Sequence, residues 1–124
     1  MTRQAFSTTQ APAPAGPYSQ SVRAGGVVVC AGQAGATPDG EMLDGIAAQT
    51  EQCLANVLAA LAASGATEQD IVKVNVYLTD VDHFDAMNEV YARTFSEPYP
   101  VRTTVYVTLP DSMLIEVDAL AQLT

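Results

Sequence analysis

An α/β fold of order β-β-α-β-α-β-β, with a mixed sheet carrying both helices on one face, is what this sequence predicts. Three observations carry the prediction. Two segments, Ile46 to Ser64 and Asp82 to Phe95, place apolar residues at helical spacing. Ile71 to Thr79 lies between them and alternates Val72, Val74, Val76 and Leu78 with Lys73, Asn75, Tyr77 and Thr79, as a strand does. Strands before and after each helix then require crossover connections within one mixed sheet.

Residues 1–15 are polar and then Ala/Pro-rich, and are expected to form an extended N-terminal arm. Tyr18 to Val22 and Val27 to Ala31 flank Arg23-Ala24-Gly25-Gly26, the pattern of a hairpin. Residues 32–45 hold four glycines and Pro38 and read as a loop, with room for a short strand. In the first helix Cys53, Leu54, Val57, Leu58 and Leu61 form the apolar stripe, with Asp44 expected as N-cap and Gly65 at C′. Thr67 to Asp70 is turn-like. The second helix carries Phe84, Met87, Tyr91 and Phe95 on one stripe, with Asp82 as its expected cap, and Pro98 and Pro100 end it.

Val101 to Thr108 and Met113 to Leu120 read as two final strands joined through Leu109-Pro110-Asp111-Ser112. If they pair as a hairpin, Val101, Thr103, Val105 and Val107 share a face with Ile115, Val117 and Ala119. Arg102, Thr104 and Tyr106 then face the other way, beside Leu114, Glu116 and Asp118. In that register Arg102 lies across from Asp118 and diagonal to Glu116. The face away from the helices, expected to bear Tyr77, Tyr106, Leu114 and Leu120, is too apolar to stay wet. Self-association through it, as a cyclic oligomer, is the economical solution.

At 124 residues the chain is expected to be a single domain spanning 1–124. With 48% hydrophobic and 15% charged residues it is globular rather than disordered. Five basic residues against fourteen acidic ones give a net charge of -9, which repels nucleic-acid backbones and anionic membrane surfaces. No nucleic-acid or membrane partner is therefore expected, and capture of an anionic substrate falls to a local cation. Neither a leader-like apolar segment nor a membrane-span window is found, so a cytoplasmic location is the default expectation. Cys30 and Cys53 read as reduced core thiols. One histidine and two separated cysteines make no metal-ligand cluster, and His83 reads as a surface residue in a first helical turn.

Arg102 is the leading candidate for chemistry. Its guanidinium donates two parallel bonds to a carboxylate, worth roughly 1.5–3 kcal/mol each when desolvated. Structural pairing with Glu116 or Asp118 is the alternative. Glu116 is suited to position or deprotonate a water, or is simply a solvated strand residue; Asp118 carries the same ambiguity. Tyr18, after the rigid Gly16-Pro17 turn, and Asn88, at the edge of the second helical stripe, read by themselves as packing residues.

GPYSQ (16–20), CAGQAG (30–35), AAQTEQCLANVLAALAASG (47–65), DIVKVNVYLTDVDHFDAMNEVY (70–91) and PVRTTVYVTLP with LIEVDALA (within 100–121) together strongly resemble the RidA family, also called YjgF. The resemblance implies a chorismate-mutase-like fold, a homotrimer with ligand sites between subunits, and hydrolysis of enamines and imines to 2-oxo acids and ammonia. The expected substrates are of the 2-aminoacrylate/2-iminopropionate type, and no cofactor or metal is implied. By resemblance Arg102 grips the substrate carboxylate and Glu116 orients the attacking water. Tyr18 stands at the pocket mouth, Asn88 lies in the pocket and Gly32 turns its backbone to the ligand. Ala31 and Thr104 depart from the family pattern, where a hydroxyl residue and a cysteine are common, and Thr104 is counted with the substrate-binding residues. Alternatives are a non-catalytic ligand-binding or regulatory member, and a pathway-specific deaminase of a longer enamine such as 2-aminomuconate. The RNase role known in the family is disfavoured by the charge of -9.

Overall fold

The structure, a computed structural model, describes residues 2–124. Its strands are β1 (Gln4–Phe6), β2 (Ser21–Ala24), β3 (Val27–Cys30), β4 (Gln33–Ala34), β5 (Ile71–Leu78), β6 (Val101–Tyr106) and β7 (Ile115–Gln122). The helices are α1 (Ile46–Ala63) and α2 (Phe84–Thr94). One sheet runs β1-β2-β3-β7-β5-β6, with β4 beside β7. Only β5 and β6 are parallel, joined by α2 as the crossover; every other pairing is antiparallel.

The predicted order of elements is found, with two short strands added. The arm contributes β1, which pairs with β2, and the glycine-rich loop contains β4. Tyr18 lies just outside β2. Gly45, not Asp44, precedes α1, without a side-chain cap, whereas Gly65 takes its expected left-handed conformation (φ +92°) after the helix. Ahead of α2, Val81–His83 forms a 3-10 turn whose cap is Asp80, its carboxylate accepting from the Asp82 amide at 2.8 Å. Asp82 is therefore not the cap.

The last two strands do not form a hairpin. β5 lies between them, paired with β6 at Val74↔Arg102 and Leu78↔Tyr106, and with β7 at Val74↔Ala119 and Tyr77↔Glu116. Residues directly opposite share a face. Arg102, Thr104 and Tyr106 therefore stand on the helix side with Ile115, Val117 and Ala119, while Glu116 and Asp118 stand on the open side. This reverses the expected faces of β6. The alternation of Val101, Thr103 and Val105 marks the open face, where Val101 is 64% exposed. Tyr106 leaves the open face, and Leu114 lies outside the strands.

One core fills the space between sheet and helices, built from Leu54, Val57 and Leu61 of α1, Met87 and Val90 of α2, and Val74, Val76, Ile115 and Val117 of the central strands. Truncating such a residue to alanine costs about 2–5 kcal/mol. Cys30 and Cys53 are buried and free, as read from the sequence. Three buried amides tie the irregular segments to this body. The Gln20 amide group reaches the carbonyls of Thr8, Ala11 and Pro12 at 2.9–3.3 Å, and its oxygen accepts from the Thr8 amide. Asn56 donates to the carbonyls of Ala34 and Ala36. Gln49 donates to the carbonyls of Leu43 and Ser112, each at 2.9 Å, and accepts from the Leu114 amide at 2.8 Å.

Gln49→Leu keeps volume but strands two carbonyls and one amide. Chemical denaturation is expected to show a loss of about 2–4 kcal/mol, since each buried unpaired group costs about 1–3 kcal/mol. A change below about 0.5 kcal/mol would mean that water replaces those bonds.

Candidate functional site

Arg102 emerges from edge strand β6 on the helix side, directly under α2. Its guanidinium carbon lies 4.7 Å from the ring centroid of Tyr91 and 5.7 Å from that of Phe84, and Nη1 is 4.0 Å from the Met87 sulfur. Phe84, Met87 and Tyr91 are the helical stripe itself, so the spacing that makes α2 amphipathic also builds the seat for the cation. Aromatic faces and a thioether hold the charge without occupying it as a carboxylate would. Beside it opens a cleft of about 460 Å³ lined by Asn88, Tyr91, Ala92, Tyr99, Pro100 and Arg102. Burial pushes the Tyr91 phenol up to about 12, against the lowering effect of the Arg102 charge. Thr104, two residues along the same face, keeps its hydroxyl buried and without a hydrogen-bond partner.

Glu116 stands on the opposite face, one residue into β7. Tyr77 of β5 lies across from it on one side and Ala34 of β4 on the other. Gly32 packs against its carboxylate, so closely that a Cβ there would lie 2.6 Å from Oε2. A side chain at position 32 would force Glu116 to move, which is the physical reason for glycine at this point. Burial raises the Glu116 carboxyl above the ordinary carboxylate value, and the negative charge of Asp118 adds to the shift. Tyr18 lies on the same chain's rim. It lines a groove of about 430 Å³ with Arg3, Pro17, Ser19, Val29 and Ala31, and its hydroxyl accepts from the Ala15 amide at 3.1 Å.

The expected site residues thus fall into two groups. Asn88 of α2 lines the Arg102 cleft, with Thr104 two residues along β6; Gly32 meets the Glu116 carboxylate beside β4, while Tyr18 lines its groove with Ala31. The diagonal contact between Arg102 and Glu116 expected from a hairpin does not form, because β5 separates their strands and the two side chains leave the sheet on opposite faces. Asp118 does not pair with Arg102 either. It accepts from Asn75 Nδ2 at 2.8 Å and from the Tyr77 hydroxyl at 3.1 Å.

Sequence reasoning missed Tyr91 and Phe84 as supports of Arg102, since their spacing reads equally as core. It also missed Tyr99 and Pro100, which sit in a loop with no periodicity to mark them. His83 is half-buried rather than exposed, with Nδ1 enclosed and unpartnered. The thiols are inert: burial pushes Cys30 up to about 11 and raises Cys53 further, while Cys53 Sγ donates to the Gln33 carbonyl.

Comparison with known proteins agrees with this geometry. The family profile described as Endoribonuclease L-PSP matches residues 8–123. A RutC family protein of Pyrococcus horikoshii is 45% identical over 122 residues, covering 96% of this chain and 97% of the relative. A protein of Dermatophagoides farinae named 2-iminobutanoate/2-iminopropanoate deaminase is 38% identical, covering 95% and 94%. The crystal structure of RidA from the Antarctic bacterium Psychrobacter sp. PAMC 21119 superposes with a TM-score of 0.93 at 40% identity, covering 97% of this chain and 99% of that one. With profile, sequence and fold in agreement over nearly its whole length, the chain belongs to the Endoribonuclease L-PSP family, the family also known as RidA or YjgF.

Proposed function

We propose that this protein is a cofactor-independent deaminase that hydrolyses small 2-enamino and 2-imino acids, of the 2-aminoacrylate/2-iminopropionate type, to 2-oxo acids and ammonia. Its site is composite: the Arg102 group of one protomer faces the Tyr18–Gly32–Glu116 group of the next, in a homotrimer. The single observation that carries this reading is the separation of Arg102 and Glu116 onto opposite faces of one sheet, with the open cleft on the Arg102 side. Neither half alone holds both a carboxylate anchor and a base. A second copy supplies what is missing.

Association of copies is supported by the open face itself. Val27, Val29, Val101 and Val105 are 38–64% exposed there, beside Leu120. Such a face is too apolar to remain solvated. The relative named as an imine deaminase supports the reaction class.

The chemistry asks little of the protein. The substrate carboxylate docks on the Arg102 guanidinium, whose forked donors fix its plane. A protonated imine carbon is already electrophilic. Glu116, as carboxylate, takes a proton from a water as its oxygen bonds to that carbon, and the C=N π pair moves onto nitrogen. The resulting carbinolamine loses ammonia once nitrogen receives that proton back. The oxygen lone pair then closes the C=O bond as the hydroxyl proton passes to solvent, where the released ammonia takes it up as ammonium. Raised proton affinity suits Glu116 to both transfers. The charge of -9 disfavours ribonucleic acid as a substrate.

Arg102→Ala is expected to lower kcat/KM for imines generated in situ by at least about a hundredfold, since two charge-assisted bonds of roughly 1.5–3 kcal/mol each are lost. Unchanged turnover would overturn the assignment. Glu116→Gln should be as inactive. Mixing and reassembling the two inactive variants should restore about a quarter of the wild-type sites, because random closed rings pair one intact Arg with one intact Glu that often. No recovery would argue for a site within one protomer.

Stability gives an independent check on Glu116. Its proton is held more tightly in the folded chain than in the unfolded one. The associated stability is therefore complete below the unfolded pKa and is lost as pH rises through the folded value. At dilutions where single chains predominate and no second copy's Arg102 reaches the carboxylate, Glu116→Gln should accordingly melt at a higher temperature than wild type at pH 7, with the advantage vanishing below about pH 4.

A further inference from the structure

The pairing of β5 with β7 places Asn75 opposite Asp118 and Tyr77 opposite Glu116 on the open face. Asp118 is held from two directions, by the Asn75 amide at 2.8 Å and the Tyr77 hydroxyl at 3.1 Å. Both donors are neutral, so its negative charge stays beside Glu116 rather than being cancelled. Tyr77, anchored through its hydroxyl, stands as one wall of the Glu116 site, and Gly32 is the opposite wall. Charged and titratable groups around Glu116 are few. β7 contributes Asp118, β5 contributes Tyr77 and α1, beneath the sheet, contributes the buried Cys53 thiol, while Gly32 and Ala34 bring none. Lys73, further along β5, gives its ammonium to the Thr103 hydroxyl at 2.6 Å. Arg102 of the same chain leaves by the other face, and in the composite site a second copy's Arg102 faces Glu116.

We propose that Asp118 and Tyr77 are positioning residues for Glu116. Asp118 fixes the Tyr77 ring that orients the glutamate, and its uncancelled charge makes that glutamate a stronger base. The inference rests on the catalytic role given above to Glu116, but its first test does not need turnover. The direction of the Glu116 shift, with burial first and the Asp118 charge second, is consistent with it. A water-activating carboxylate gains from greater basicity so long as it remains ionised at working pH.

The experiment compares wild type, Asp118→Asn and Tyr77→Phe by carbon NMR titration of the Glu116 carboxyl in the resting protein, and by the pH profile of kcat and KM on imines made in situ. In Asp118→Asn the Glu116 titration and the acid limb of kcat/KM are expected to move to lower pH. Its plateau kcat is expected to fall about two- to tenfold, since a weaker base transfers protons less readily. An unchanged Glu116 titration would overturn the electrostatic part. Tyr77→Phe deletes one oxygen and keeps the Asp118 charge, so it should fold even if Asp118→Asn does not. It should lower kcat about two- to tenfold with KM nearly unchanged, and its acid limb should not move down. Wild-type kcat in Tyr77→Phe would overturn the positioning role. Absence of deamination by the wild type itself would instead sink the proposed function, leaving the NMR titration to decide the Asp118–Glu116 coupling.

Discussion

The position of β5 governs what this chain can do. It accepts β6 in parallel on one side, because α2 carries the chain back over the sheet, and β7 antiparallel on the other. The two strands that look like a closing hairpin are thereby held one strand apart. Their side-chain parity is set by β5, not by each other. The same register sends the only cation of β6 beneath a helix and the two carboxylates of β7 to the uncovered side. Core packing and the division of the candidate site are one constraint, since Val74 and Val76 cannot stay in the core unless Asn75 and Tyr77 face out.

On the covered side the fold solves a problem of charge. A guanidinium half-buried near an apolar core would normally call for a carboxylate partner, which would then occupy it. Contact with Tyr91, Phe84 and Met87 gives roughly 0.5–2 kcal/mol of attraction and leaves the guanidinium without a carboxylate partner among the described residues. On the open side the design is the opposite. Glu116 is crowded by a glycine backbone and by a like charge, and the folded chain bears that destabilisation at the position proposed to activate water.

Element type was legible from the sequence wherever periodicity was long. Both helices and the central strand lie within a few residues of their expected bounds. Strand pairing was not, because alternation specifies which residues share a face of one strand and nothing about which strand lies next. Edge strand β6 was the hardest case: its valines and threonines satisfy β propensity on both faces, so the apolar set pointed the wrong way. Arg102 and Glu116 stood out as charges in strand-forming runs, and Gly32 through the family resemblance. The reason for that glycine is visible only in three dimensions, where it meets the Glu116 carboxylate. Tyr99 carried no signal at all, lying between two prolines in a connection whose shape depends on the rest of the chain.

The Gln20 amide has a consequence for how the rim behaves when a ligand arrives. By gathering the carbonyls of Thr8, Ala11 and Pro12 it turns an otherwise floppy leader into a rigid lip two residues from Tyr18. The disorder that a mobile flap would surrender on closing has already been removed during folding. On the proposed reading, a small acid would therefore meet a mouth of fixed width, and discrimination by size would be set by the shape of the resting protein rather than by movement.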